Sequence, residues 1–160
     1  MYGKVLLAYD GSEEGRRALR EGARIAQICN SEVFLLAVVD VSSGVFLAEG
    51  ATSGATEQER KIHEEVLAEG VRRLEGMGFS PTARLETGDP ALMIETVAKE
   101  IGADLVVIGH RRQGPLARLW FGSVTIHLVD HLTCSVLVSR KDIPDEMFWG
   151  EMQAAGLAAS

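Results

Sequence analysis

Asp104-Leu105-Val106-Val107-Ile108-Gly109 is the stretch on which the fold turns. An unbroken Val/Ile/Leu run of this length, entered from an acidic residue and left through a glycine, reads as a strand covered on both faces. Such strands build parallel sheets. Immediately upstream, Ile94, Val97, Ala98 and Ile101 fall at helical spacing. Asp89 and Pro90 supply a cap and a first-turn proline for that helix, and Gly102 closes it. The same alternation extends in both directions. Apolar runs at residues 4–9, 33–39 and 135–138, and a more polar one at 82–87, are predicted strands. Between them, Ala18, Leu19, Gly22, Ala23 and Ala26 line one face of a helix over 13–29. Ile62, Val66, Val71, Leu74 and Met77 do so over 56–77, and a last helix is predicted from Ser123 to about His131. Ser12 caps the first helix, with Glu13 and Glu14 at its positive end, and Thr56 with Glu59 has the spacing of a capping box. Strand and helix alternate throughout, and right-handed crossovers then give an α/β fold: an open five-stranded parallel sheet with helices on both faces.

The chain has 160 residues, 46% hydrophobic and 24% charged, which is one globular domain with a core of its own. No apolar run approaches the roughly 20 residues of a membrane span, and no signal-like segment opens the chain, so a cytoplasmic protein is expected. A net charge of −7 argues against a sequence-independent grip on nucleic acid, which comes from Lys and Arg neutralising phosphates. Cys29 and Cys134 have no paired spacing and read as small buried residues. Residues 1–140 form the expected domain, residues 40–55 a Gly/Ser/Ala-rich connection, and the tail 141–160 a short helix or a disordered end.

Ligands of open parallel sheets bind outside the carboxyl ends of the strands, where strand order reverses. Three pieces converge on that rim: Ala8-Tyr9-Asp10-Gly11-Ser12, Val38-Val39-Asp40, and Gly109-His110-Arg111-Arg112-Gln113-Gly114 followed by Gly122-Ser123-Val124-Thr125. The last combines a loop that admits close backbone approach with a helix head whose free N–H groups suit a phosphate. Each residue also has a structural role to weigh: Asp10 as a cap or turn brace, Gly109 and Gly122 as tight-turn residues, Ser123 as a helix cap. Ser123 lacks the elbow of a nucleophilic serine. His127 and His131 have the i, i+4 spacing of a zinc helix without its glutamate, and read as helix-surface or interface residues; no metal site is expected.

Several of these pieces together resemble the universal stress protein family over residues 1–140. They are Tyr9-Asp10-Gly11-Ser12-Glu13 at the first strand's end, Thr87-Gly88-Asp89-Pro90 before the third helix, the run from Asp104 to Gly109 with Gly122-Ser123-Val124, and Cys134-Ser135-Val136-Leu137-Val138. The resemblance implies homodimerisation, which would bury the last strand's open edge (Ser135, Val136, Leu137, Val138), and in one branch binding of ATP or AMP, with Mg²⁺ offsetting phosphate charge. It implies that Asp10 and Val38 flank the adenosine, with Ala8, Tyr9 and Ile108 lining that side. Gly109, Arg111, Arg112 and Gly114 would follow the ribose and phosphates, and Gly122, Ser123, Val124 and Thr125 would cradle the phosphate tail. The nucleotide branch carries Gly, two residues, Gly, nine residues, then Gly-Ser or Gly-Thr. Gly109 and Gly122-Ser123 keep its outer spacing, and Arg112 stands at the middle glycine, where it either fills the phosphate pocket or pairs with a phosphate as a forked donor. The expected role is a dimeric stress-response module that binds an adenine nucleotide. The alternatives are a nucleotide-free interaction protein of the same fold, occluded by Arg112, and a slow ATP-hydrolysing enzyme.

Overall fold

Five strands, β1 (Lys4–Ala8), β2 (Glu32–Asp40), β3 (Thr82–Gly88), β4 (Leu105–Gly109) and β5 (Ser135–Ser139), all pair in parallel in the order β3-β2-β1-β4-β5. They alternate with α1 (Glu13–Cys29), α2 (Ser53–Gly76), α3 (Pro90–Ile101) and α4 (Ala117–His131). The computed structural model describes residues 1–41, 53–110 and 117–139, with side chains at all of these except 53–56 and 117–123. The tail 141–160 lies outside the described residues, as do Arg111, Arg112 and Gly114.

Because successive strand residues point to opposite faces, each strand feeds two cores. Val5, Leu7, Tyr9, Val33, Leu35, Leu105 and Val107 meet α1 and α2 on one face through Ala18, Leu19, Ala23 and Leu74, with Met77 just after α2. Leu6, Phe34, Leu36, Val106 and Ile108 meet α3 and α4 on the other through Ile94, Val97, Ala98 and Leu128. β4 is buried along its whole length, as its apolar run predicts.

Caps set the helix ends that sequence pattern locates best. Ser12 Oγ accepts from the Gly15 N–H at 3.0 Å, and left-handed Asn30 closes α1 by donating to Ala26 and Gln27 carbonyls. Asp89 Oδ1 accepts from Leu92 N–H at 3.0 Å, Pro90 opens α3, and Gly102 ends it. Two helix heads differ from expectation. α2 starts at Ser53, so Thr56 and Glu59 lie inside the helix and do not form a capping box at its start. α4 starts at Ala117, six residues before the expected Ser123. Ala117-Arg118-Leu119 are strong helix formers, and a helix absorbs an interior glycine such as Gly122 at a cost of about 1 kcal/mol. No helix among the described residues is long and apolar enough to cross a membrane.

Candidate functional site

The chain runs from β1 outward through β2 to β3, then returns to the other side of β1 with β4 and β5. The strand order therefore reverses between β1 and β4, and the crevice opens beyond their carboxyl ends. Asp10 stands on one side of it and Gly109-His110 on the other.

Asp10 is exposed and braced. Its Oδ1 accepts from the Ser12 N–H at 3.0 Å and from the Ser12 hydroxyl at 2.5 Å, while Ser12 Oγ accepts from Gly15. The structural role weighed for Asp10 is thus real, and it occupies one carboxylate oxygen. Across the crevice, Gly109 is held by packing. A Cβ there would lie 2.7 Å from the Glu14 carbonyl oxygen and 3.0 Å from Gly15 N, so β4 can approach the first turn of α1 only with a glycine at this position. His110 continues the rim by donating its N–H to the Ser139 carbonyl at 3.0 Å.

β2 outruns its neighbour. The Tyr9 N–H donates to Leu36 C=O at 2.8 Å, after which the chain turns away through Asp10 and Gly11. Alternate residues of a strand direct their backbone groups to the same side, so the N–H and C=O of Val38 face the side where β1 has ended. Beneath them Ala8, Val38, Ile108 and Val124 join one apolar cluster on the α3–α4 face. Of the expected adenosine-side residues, Ala8, Val38 and Ile108 thus share one cluster with Asp10 at the neighbouring strand end, and Gly109, expected along the ribose and phosphates, stands across the crevice.

Tyr9 goes elsewhere. Its side chain is 3% exposed and lies on the α1–α2 face, where its hydroxyl donates to Glu69 of α2. Glu69 also accepts from Arg73, and Arg16 Nε lies 3.4 Å from its Oε1. Burial and the bond to Glu69 push the Tyr9 phenol up to about 12. Burial raises the Glu69 carboxyl, but the bonds from Tyr9 and Arg73 and the charges of Arg73 and Arg16 outweigh it and leave a net lowering. Sequence reasoning missed this network. Its only trace is the Glu69/Arg73 spacing of four.

On α4, Val124 and Thr125 are half-buried. Gly122 and Ser123 lie past the helix's first turn, so within α4 the amides that a helix head leaves free belong to 117–119 instead. Further along, His127 Nε2 lies 2.5 Å from Glu95 Oε2 of α3, and the His131 ring stacks on His127 at 4.2 Å. His127 thus ties α4 to α3, His131 bonds and stacks on His127 of its own helix, and among the described residues no three His, Cys, Asp or Glu side chains are arranged to hold a metal.

A family model described as the universal stress protein family matches residues 1–140. A universal stress protein of Methanocaldococcus jannaschii is 32% identical over 142 residues, covering 88% of this chain and 84% of that one. Among solved structures, a universal stress protein in complex with cAMP superposes with a TM-score of 0.67 at 23% identity, over 88% of this chain and 99% of that one. An Arabidopsis thaliana family member with AMP bound superposes with a TM-score of 0.62 at 20% identity, over 90% of this chain and 97% of that one.

Proposed function

Because this chain belongs to the universal stress protein family, we propose that it is a dimeric regulatory module that holds an adenine nucleotide, ATP or AMP, at the carboxyl ends of β1, β2 and β4. The observation that carries this reading is the overrun of β2 past β1. It sets the Val38 N–H and C=O above an apolar floor of Ala8, Val38, Ile108 and Val124, beside the exposed carboxylate of Asp10. That is a slot for a flat heterocycle with one donor edge and one acceptor edge, next to a group that suits a ribose hydroxyl. Solved relatives with cAMP and AMP support the ligand class.

In this reading Asp10 and Val38 flank the adenosine, and Gly109 stays bare for α1 as well as for the ligand. Arg111, Arg112 and Gly114 follow the phosphates toward the head of α4, where the free amides are those of 117–119, with Gly122, Ser123, Val124 and Thr125 on the turns behind it. Mg²⁺ offsets the phosphate charge. The role is binding, with release of phosphate from ATP no faster than a buffer control. ATP or AMP with Mg²⁺ raises the thermal midpoint of the unaltered protein, because a ligand of the native state stabilises it. No shift at millimolar nucleotide overturns the reading. Arg112→Gly separates the two roles of that side chain: weaker binding assigns it to the phosphate, and binding gained only in the variant assigns the native protein to the occluded class.

The dimer forms through β5. Among the described residues β3 and β5 are the edge strands of the sheet, and of the two only β3 carries charged side chains. β3 presents Arg84, which bonds Glu86 and Glu100 at 2.6 and 2.7 Å, whereas β5 is Ser-Val-Leu-Val-Ser. Charged side chains blunt an edge and apolar ones leave it open to a second copy. Antiparallel pairing of two β5 strands covers both edges with one symmetric contact.

A further inference from the structure

We propose that Tyr9 is the positioning residue for Asp10, and that the seating of α2 on Tyr9 through Glu69 and Gly70 tunes ligand affinity; this rests on the nucleotide reading above. Neighbours in an extended segment point to opposite faces, so Tyr9 enters the α1–α2 core while Asp10 is left exposed at the strand end, its carboxylate braced against the first turn of α1. Whatever fixes the one side chain fixes the other.

α2 holds this segment at three points along one face, at positions i, i+3 and i+4 of the helix. Val66 abuts Gly11, where an added Cβ would lie 3.1 Å from the Val66 methyl. Glu69 takes the Tyr9 hydroxyl. Gly70 lets the helix backbone settle on the Tyr9 ring, since a Cβ there would lie 2.8 Å from Tyr9 Cδ1 and from Leu35 Cδ2. Arg16, on α1 just after the Ser12 cap, reaches the same Glu69. The short turn that carries Asp10 is thus clamped at its start by α2 and at its end by the Asp10–Ser12–Gly15 bonds. α2 touches no ligand in this arrangement and acts through residue 9. A partner that shifts α2 changes the carboxylate's aim.

Titration calorimetry with ATP and Mg²⁺ on the full chain tests the link. Tyr9→Phe and Glu69→Ala each weaken binding about tenfold, whereas Glu69→Gln, whose amide oxygen still accepts from Tyr9, stays within about twofold of the parent. In an Asp10→Ala background, adding Tyr9→Phe costs less than about twofold, because the carboxylate through which it acts is gone. Full additivity of the two changes overturns the proposal, and so does equal loss in Glu69→Gln and Glu69→Ala. The ligand-free protein gives an independent arm: Tyr9→Phe and Glu69→Ala speed amide exchange at Ser12 about tenfold and leave Val106 unchanged. Unaltered exchange at Ser12 overturns the anchor even where nucleotide binds. Failure of the unaltered protein to bind nucleotide overturns the preceding reading, and the exchange arm still decides the anchor. Should Tyr9→Phe not fold, the Glu69 pair carries both arms.

Discussion

Gly109 stands where a ligand-approach glycine is expected, yet the group against it is the chain's own backbone, the Glu14 carbonyl. A backbone atom cannot rotate away as a flexible side chain can. Gly109→Ala is therefore expected to lower unfolding free energy by about 1–3 kcal/mol in urea, with or without nucleotide. Tyr9 supplies a second residue-scale prediction. Its phenol titrates near 12 in the fold, above the ordinary value of 10.0, so the folded state holds that proton longer than the unfolded state. The stability it contributes is fully present below pH 10 and disappears as pH rises toward 12. The difference in urea midpoint between the parent protein and Tyr9→Phe shrinks across that window, and a difference independent of pH would refute the assignment. Nothing at position 9 in the sequence announces its partner, because Glu69 sits 60 residues away on α2. Only the packing of α2 brings the two together.

At the scale of elements, legibility followed the caps. α1 and α3 start and stop where Ser12, Asp89, Pro90 and Gly102 say they should, since a cap is a local hydrogen-bond requirement written in the side chain. The heads of α2 and α4 depart from the cap signals because a cap is only a local preference. Thr56 and Ser123 are good caps in isolation, but the chain before each continues the helix. The tie between α3 and α4 was legible only as two histidines four apart. Its other half, Glu95, also bonds Lys99, and the bonds from Lys99 and His127 hold its carboxyl below the usual range. β5 carries the element-scale prediction. Val136→Lys yields monomer in sedimentation equilibrium while circular dichroism shows it folded, and an unchanged dimer refutes the edge model.

For the whole molecule, the alternation of apolar runs and helical stripes was enough to set class, strand number and parallel pairing, because burial on both faces leaves a strand little choice of residue. The strand order then follows from where the chain turns back, and that reversal places the crevice. The strand-end residues that border the crevice were largely legible in the sequence, since they follow directly from the apolar runs. Its split into two faces, with Ala8 on one and Tyr9 on the other, needed only the two-residue period of β1. The proposed dimer predicts a thermodynamic signature: the melting midpoint of the parent rises with protein concentration, and that of Val136→Lys does not. The unequal margins of the sheet set a limit on how far such joining can go. With ionic side chains along β3 and none along β5, the proposed pairing through β5 is self-limiting at two chains. A polymer would need a second bare margin to propagate from, and the Arg84–Glu86 pair denies it one.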